Sequence, residues 1–64
     1  MVIINKSHII SIKSESHSNR YYIRIFTTLE AFNRYYKTKE ECELILREVK
    51  EQIRAGYQFI YIND

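Results

Sequence analysis

The sequence predicts an α+β fold, in which an antiparallel sheet of four or five short strands packs through one face against a single helix over residues 38–55. Two observations predict this class. One segment has both helix caps and an apolar stripe of helical period, and the stretches on either side alternate apolar and polar residues as strands do. A chain of 64 residues has room for one small core, so we expect a single domain over residues 1–64.

The helix is framed by residues that begin and end helices. Thr38 and Glu41 have the spacing of a capping box, in which the threonine hydroxyl accepts a hydrogen bond from the glutamate amide. Gly56 is the one glycine of the chain and follows the helical segment, where a left-handed backbone costs least without a Cβ atom. The helix should therefore begin after Thr38 and end before Gly56.

The apolar stripe defines the face of the helix that packs on the core. At roughly 100° per residue, this stripe contains Cys42, Ile45, Leu46, Val49 and Ile53. Leu44 falls on the opposite side, among charged residues, so we expect it to be exposed. A single cysteine on the core face is typical of a buried, inert thiol, and it cannot form an internal disulfide.

The first half of the chain predicts a β-hairpin. Residues 1–4 and 8–13 form two short strands or one bulged strand. Residues 14–19 are polar and rich in turn formers, and the alternation resumes over residues 20–28. We therefore expect a hairpin whose loop is the six residues 14–19.

The isoleucines predict the register of this hairpin. Ile12 should lie opposite Ile23 and Ile10 opposite Ile25, because this register puts all four on the core face. The other face then carries the pairs Ile9–Phe26, Ser11–Arg24 and Lys13–Tyr22. A face that only met water would not need the large apolar members of these pairs.

The second half of the chain predicts two more strands. Residues 29–33 form a connection, and residues 34–37 form a short strand before the helix, in which either Tyr35 or Tyr36 can point inward. Residues 57–62 are apolar or aromatic on both faces. A strand of that kind is usually covered on both sides, so we expect it inside the sheet or at an interface.

One helix covers one side of a sheet, and the opposite side keeps large apolar side chains. We expect the protein to self-associate through that side or through a sheet edge, as a homodimer or a higher homo-oligomer. Alternatively, a protein target or a ligand covers that side of the sheet. The residues predicted for this interface are Ile9, Tyr22, Phe26 and Phe59.

The sequence offers no catalytic group and no site for a metal or cofactor. His8 and His17 lie nine residues apart with no cysteine or carboxylate at metal-ligand spacing. No motif sets a nucleophile against a base, and one glycine cannot supply a glycine-rich phosphate loop. We therefore expect a binding protein rather than an enzyme.

The composition and the net charge indicate in which cellular compartment the protein acts and which kinds of partner it has. There is no secretory signal and no apolar run of about 18 residues, so we expect a cytoplasmic protein without a membrane segment. The one cysteine agrees with a reducing compartment. A net charge of +2 does not by itself indicate nucleic-acid binding.

Arginine and tyrosine occur together twice, at residues 20–22 and at residues 34–36. Aromatic rings stack on bases and arginine binds phosphate, so this composition is typical of a surface for nucleotides or single strands. Tyrosine is also a good strand former, and the same composition fits an ordinary sheet. The predicted ligand-binding residues are Lys13, Arg20, Tyr22, Arg24, Arg34 and Tyr36.

In its layout of strands, capped helix and final strand, and in its richness in Ile, Tyr, Lys and Glu, the chain resembles short accessory proteins of phages of low-GC bacteria. The resemblance implies a non-enzymatic inhibitor of host defence or host machinery that captures a host protein or a nucleotide-type immune signal. In such a role Lys13, Tyr22 and Arg24 would contact the signal. A small nucleic-acid-binding regulator that uses the arginine–tyrosine clusters is the alternative function.

Overall fold

The computed structural model describes residues 1–63, and these residues have the predicted α+β class. Every strand pair is antiparallel. The strands form two sheets rather than the single sheet that we expected, since β1 pairs with β5 while β2, β3 and β4 lie side by side in that order. The elements are β1 (Val2–Asn5), a 3₁₀ turn (Lys6–His8), β2 (Ile9–His17), β3 (Arg20–Thr27), β4 (Ala31–Tyr36), α1 (Lys39–Arg54) and β5 (Phe59–Ile62).

The helix has the predicted caps. The Thr38 hydroxyl accepts a hydrogen bond of 3.1 Å from the Glu41 amide, and Gly56 has a φ of 86° just after the helix. Leu44 is 48% exposed, as predicted. Cys42 is buried, as predicted, and this burial raises the pKa of its thiol.

Helix α1 lies across both sheets and closes one core between them. Each sheet and the helix contribute to this core, whose buried members are Ile4, Ile23, Ile25, Tyr36, Cys42, Ile45, Val49, Ile60 and Ile62. Two side-chain contacts add to the apolar packing at β5. The Gln52 side chain exchanges two hydrogen bonds of 2.8 Å with the backbone of Tyr61, and the Tyr36 hydroxyl donates to the carbonyl of Asn63 at 2.7 Å.

The β2–β3 register is shifted by two residues from the predicted one. Ile12 lies opposite Ile25, and Ser14 lies opposite Ile23. An even shift keeps every side chain on its own face, so these isoleucines still point to the helix side, as predicted. The individual pairs that we expected were wrong.

The cause of the shift is the turn. Strand β2 continues to His17 and β3 begins at Arg20, so the expected six-residue loop is a two-residue turn. Ser18 and Asn19 have φ values of 52° and 64°, both in the left-handed region, as a type I′ turn requires. This turn sets His17 opposite Arg20 and fixes the pairs that follow.

A β-bulge breaks the predicted alternation near the start of β2. The register shifts between Ile9 and Ser11, and this shift leaves Ile10 without a partner in the ladder. Ile10 is 68% exposed, whereas Ile9 turns to the helix side and packs against the core. The predictions of a buried Ile10 and of Ile9 on the opposite face were therefore wrong, because a bulge inserts one residue into the period of two.

The last two strands also differ from expectation. Strand β4 begins at Ala31 and is longer than predicted, and Tyr36 is the tyrosine that points inward. Strand β5 pairs with β1 alone among the described residues, so it does not lie inside a larger sheet. Phe59 and Tyr61 are about half exposed, whereas Ile60 and Ile62 are buried.

Candidate functional site

The candidate site is the surface of the β2–β3–β4 sheet that points away from the helix, which we name the aromatic–basic face. Alternation along each strand and the registers between strands bring its side chains together. The strands contribute one acid, three cations, three aromatic rings and one amide. These are Lys13, Glu15, Arg20, Tyr22, Arg24, Phe26, Asn33 and Tyr35.

Two tyrosines pair at the end of this face near the β2–β3 turn. Tyr22 lies opposite Tyr35 in the β3–β4 register, and their ring centroids are 5.3 Å apart at an interplanar angle of 49°. The Arg20 guanidinium lies 5.9 Å from the centroid of the Tyr35 ring, within cation–π range. Beside them lies an open depression of about 460 Å³, lined by His17, Ser18, Arg20, Tyr22 and Tyr35.

Glu15 lies in the middle of the face and contacts Tyr22 and Lys13. Its carboxylate accepts a hydrogen bond of 2.9 Å from the Tyr22 hydroxyl and lies 3.4 Å from the Lys13 ammonium. The hydrogen bond from Tyr22 lowers the pKa of Glu15, with Lys13 acting in the same direction, and the same hydrogen bond raises the pKa of Tyr22. Glu15 is therefore anionic and Tyr22 neutral at pH 7.

Two cations pack against the Phe26 ring at the other end of the face. The Lys13 ammonium lies 5.6 Å and the Arg24 guanidinium 5.2 Å from the centroid of its ring. Both are within the roughly 6 Å at which a cation is attracted to an aromatic ring. Both cations therefore pack against the ring at the sheet surface, and the Lys13 side chain stays more than half exposed to water.

Asn33 lies on β4, directly opposite Arg24. Its amide nitrogen donates to the Tyr35 hydroxyl at 3.3 Å. Its carbonyl oxygen is buried and has no hydrogen-bond partner among the described residues. Leaving this buried polar atom without a partner costs free energy.

The structure brings four of the six predicted ligand-binding residues together. Lys13, Arg20, Tyr22 and Arg24 all belong to the aromatic–basic face. Arg34 and Tyr36 do not, because they alternate to the helix side of β4. Tyr36 is buried, and this burial raises the pKa of its hydroxyl.

The four predicted interface residues lie on three different surfaces. Tyr22 and Phe26 belong to the aromatic–basic face. Ile9 lies on the helix side, and Phe59 lies on the outer side of the β1–β5 sheet beside Tyr61 and Ile3. One continuous interface made of all four predicted residues is therefore not present in a single copy.

Sequence reasoning missed Glu15, Asn33 and Tyr35. Glu15 was assigned to a loop, although a two-residue turn at Ser18 and Asn19 would have kept it in the strand. The choice between Tyr35 and Tyr36 depends on the turn after β3. There the Thr27 hydroxyl accepts hydrogen bonds from the amides of Leu29 and Glu30, a local pattern that single-residue propensities do not show.

Residues 1–63 contain neither a metal-binding cluster nor a membrane-spanning helix. No group of three or more His, Cys, Asp or Glu side chains in this range could hold a metal ion. The helix that the structure describes is too short and too polar to cross a membrane. Comparison with known proteins gives no match: no family model, no curated protein and no solved structure is detectably similar to the chain.

The aromatic–basic face therefore offers two kinds of contact to a ligand. Exposed tyrosine rings provide surfaces for stacking, and guanidinium groups provide paired donors for phosphate or carboxylate. Tyr35 is 55% exposed, so its ring is accessible to a flat ligand. The face is open rather than enclosed, so its rings and guanidinium groups can be reached from solvent.

Proposed function

We propose that the chain is a non-enzymatic binding protein that captures a nucleotide-type ligand on the aromatic–basic face, at the end near the β2–β3 turn. The observation that carries the proposal is the ring pair of Tyr22 and Tyr35, 5.3 Å apart, with Arg20 beside it. A base can stack on the exposed ring of Tyr35 while the Arg20 guanidinium binds a phosphate. Stacking contacts of this kind contribute about 1–3 kcal/mol per base.

The charges of the face support an anionic ligand. Lys13, Arg20 and Arg24 face one carboxylate, that of Glu15, so the net charge of the face is +2. Glu15 is close to Lys13, whereas neither arginine has a carboxylate partner among the described residues. The anionic Glu15 also repels phosphate from the centre of the face, so we expect the phosphate at the Arg20 end.

An NMR titration of the labelled protein tests this proposal. The probes are ATP, GTP and the dinucleotide pApA, with adenosine as a control without phosphate and inorganic triphosphate as a control without a base. We expect shifts in β3 and β4 with the nucleotides and at least about tenfold weaker binding of both controls, equivalent to about 1.4 kcal/mol. No shift with any nucleotide, or equal binding of triphosphate, would refute the proposal.

Two variants locate the site. Tyr35→Ala and Arg20→Ala should each weaken binding of the best nucleotide about tenfold, because each removes one of the two contacts. Both residues are exposed, so the fold should survive. Arg47→Ala, which removes an exposed arginine from the helix, is the matched control and should bind normally.

The resemblance to phage accessory proteins adds a cellular role to the proposed binding. In that setting the protein acts in the host cytoplasm and removes a nucleotide-type immune signal by stoichiometric capture. Expression of the wild type, but not of Tyr35→Ala, should then restore phage growth in a host whose defence uses such a signal. Equal phage growth with both proteins would contradict this role and leave the binding proposal standing.

A small nucleic-acid-binding regulator is the second candidate function. It is favoured by the row of cation–aromatic contacts from Arg20 to Phe26 along β3, a length of roughly 20 Å at about 3.3 Å per residue. That length suits several nucleotides of a single strand. Binding of oligo(dT) that is tighter than that of any mononucleotide and falls steeply with salt would support this function, and no binding at low salt would exclude it.

A further inference from the structure

An apolar groove lies on a different surface, between the start of β2 and the C-terminal half of α1. We name it the α1–β2 groove, and its volume is about 390 Å³. Its apolar lining is formed by Ile9, Ile10 and Ile12 of β2 and by Val49 and Ile53 of α1. The groove is separate from the aromatic–basic face because it lies on the helix side of the sheet.

The β-bulge sets the shape of this groove. It turns Ile9 toward the helix, where it packs against the core, and leaves Ile10 68% exposed beside the groove. A regular strand would have directed these two side chains to opposite faces with the usual alternation. Bulges commonly re-aim a side chain at a functional surface, and here the bulge adds a large apolar side chain to the groove.

The charged side chains that line the groove are of one sign. Lys6 and Lys50 line it, no carboxylate does, and neither lysine has an ion-pair partner among the described residues. Arg47 and Arg54 lie three residues before and four residues after Lys50, a spacing that puts all three cations on the same side of the helix. Arg54 pairs with Glu51, which leaves Lys6 and Lys50 at the groove to attract an anionic partner.

We infer that the α1–β2 groove is a docking site for an amphipathic, acidic helix of a partner protein. Apolar side chains of that helix would occupy the groove, and its carboxylates would face Lys6 and Lys50, so the charges are complementary. A helix fits better than an added strand because the bulge interrupts the edge of β2 where a strand would have to pair. The inference is independent of the proposed nucleotide site.

Two peptides of matched design test the inference. Both carry leucines at i, i+3, i+4 and i+7, and the remaining positions are glutamate in one and lysine in the other. We expect the glutamate peptide to bind at least about tenfold more tightly and to shift the NMR signals of Ile12, Val49 and Ile53. Reversing both charges, with Lys6→Glu and Lys50→Glu together, should invert this preference.

The variant Ile10→Asp distinguishes peptide binding in the groove from non-specific electrostatic attraction. Ile10 is exposed, so the variant should fold, and it should lose binding of the glutamate peptide. Leu29→Asp, at a leucine that is 85% exposed outside the groove, is the control and should bind normally. Equal binding of both peptides, no binding of either, or normal binding by Ile10→Asp would overturn the inference. An oligomer of the free protein that Ile10→Asp dissociates would also overturn it, because the groove would then be occupied by a second copy.

Discussion

Gln52 performs at one edge of β5 the role that a neighbouring strand would otherwise have. Its amide nitrogen donates to the carbonyl of Tyr61 and its amide oxygen accepts from the Tyr61 amide, both at 2.8 Å. Replacing Gln52 by Met keeps the length and the helix propensity of the side chain and removes both hydrogen bonds. A hydrogen bond contributes about 0.5–1.5 kcal/mol net, and these two are partly exposed, so we expect a loss of about 1–2 kcal/mol.

Urea unfolding followed by circular dichroism measures this loss, which corresponds to a decrease in Tm of about 4–8 °C per kcal/mol for a domain of this size. The denaturant slope should stay unchanged, because the buried surface is the same. Hydrogen exchange at the Tyr61 amide should also become faster. Glu48→Met, at an exposed position one turn earlier, is the control. A loss from Gln52→Met within about 0.5 kcal/mol of that control would refute the reasoning.

Two further predictions concern Glu15 and Gly56. The hydrogen bond from Tyr22 lowers the pKa of Glu15 below its ordinary value of 4.5, so the stability that Glu15 contributes is present above that pH and is lost as the pH falls through the lowered pKa. Carbon NMR of the Glu15 carboxyl should show this low pKa and its rise toward 4.5 in Tyr22→Phe; an unchanged pKa in the variant would contradict the assigned cause. Gly56→Ala puts a Cβ atom at a φ of 86° without any steric contact, so thermal unfolding should show a loss of about 1 kcal/mol from backbone strain alone. Gly56→Asn should lose less, and a neutral Gly56→Ala would show that the turn adjusts its backbone.

Local signals in the sequence were sufficient for the helix. The capping hydroxyl of Thr38, the apolar stripe and Gly56 all act within a few residues of the positions that they determine, and each was predicted correctly. The face of Ile12, Ile23 and Ile25 was also predictable, because a shift of two residues does not change it.

Features that depend on one extra residue were not predictable from alternation. The bulge at Ile10 moves Ile9 to the helix side and leaves Ser11 on its predicted face, and nothing in the composition of β2 marks where the extra residue lies. The division of the strands into two sheets depends on distant contacts, such as the pairing of Val2 with Ile62. For the candidate site, the sequence did not show which face of β4 each side chain takes, because both faces carry aromatic residues, and Arg34 and Tyr36 lie on the helix side rather than on the aromatic–basic face.

The pairing of β1 with β5 joins the two ends of the described chain, and it therefore imposes an order on assembly. The β2–β3 hairpin connects neighbouring residues and can form early, whereas Val2 meets Ile62 only after everything between them has been synthesised. Until β5 leaves the ribosome, Ile4 and the β5 side of α1 lack the covering provided by Ile60 and Ile62. A nascent chain held just before β5 should consequently bind chaperones and be cut rapidly by proteases, and release of the last strand should end both.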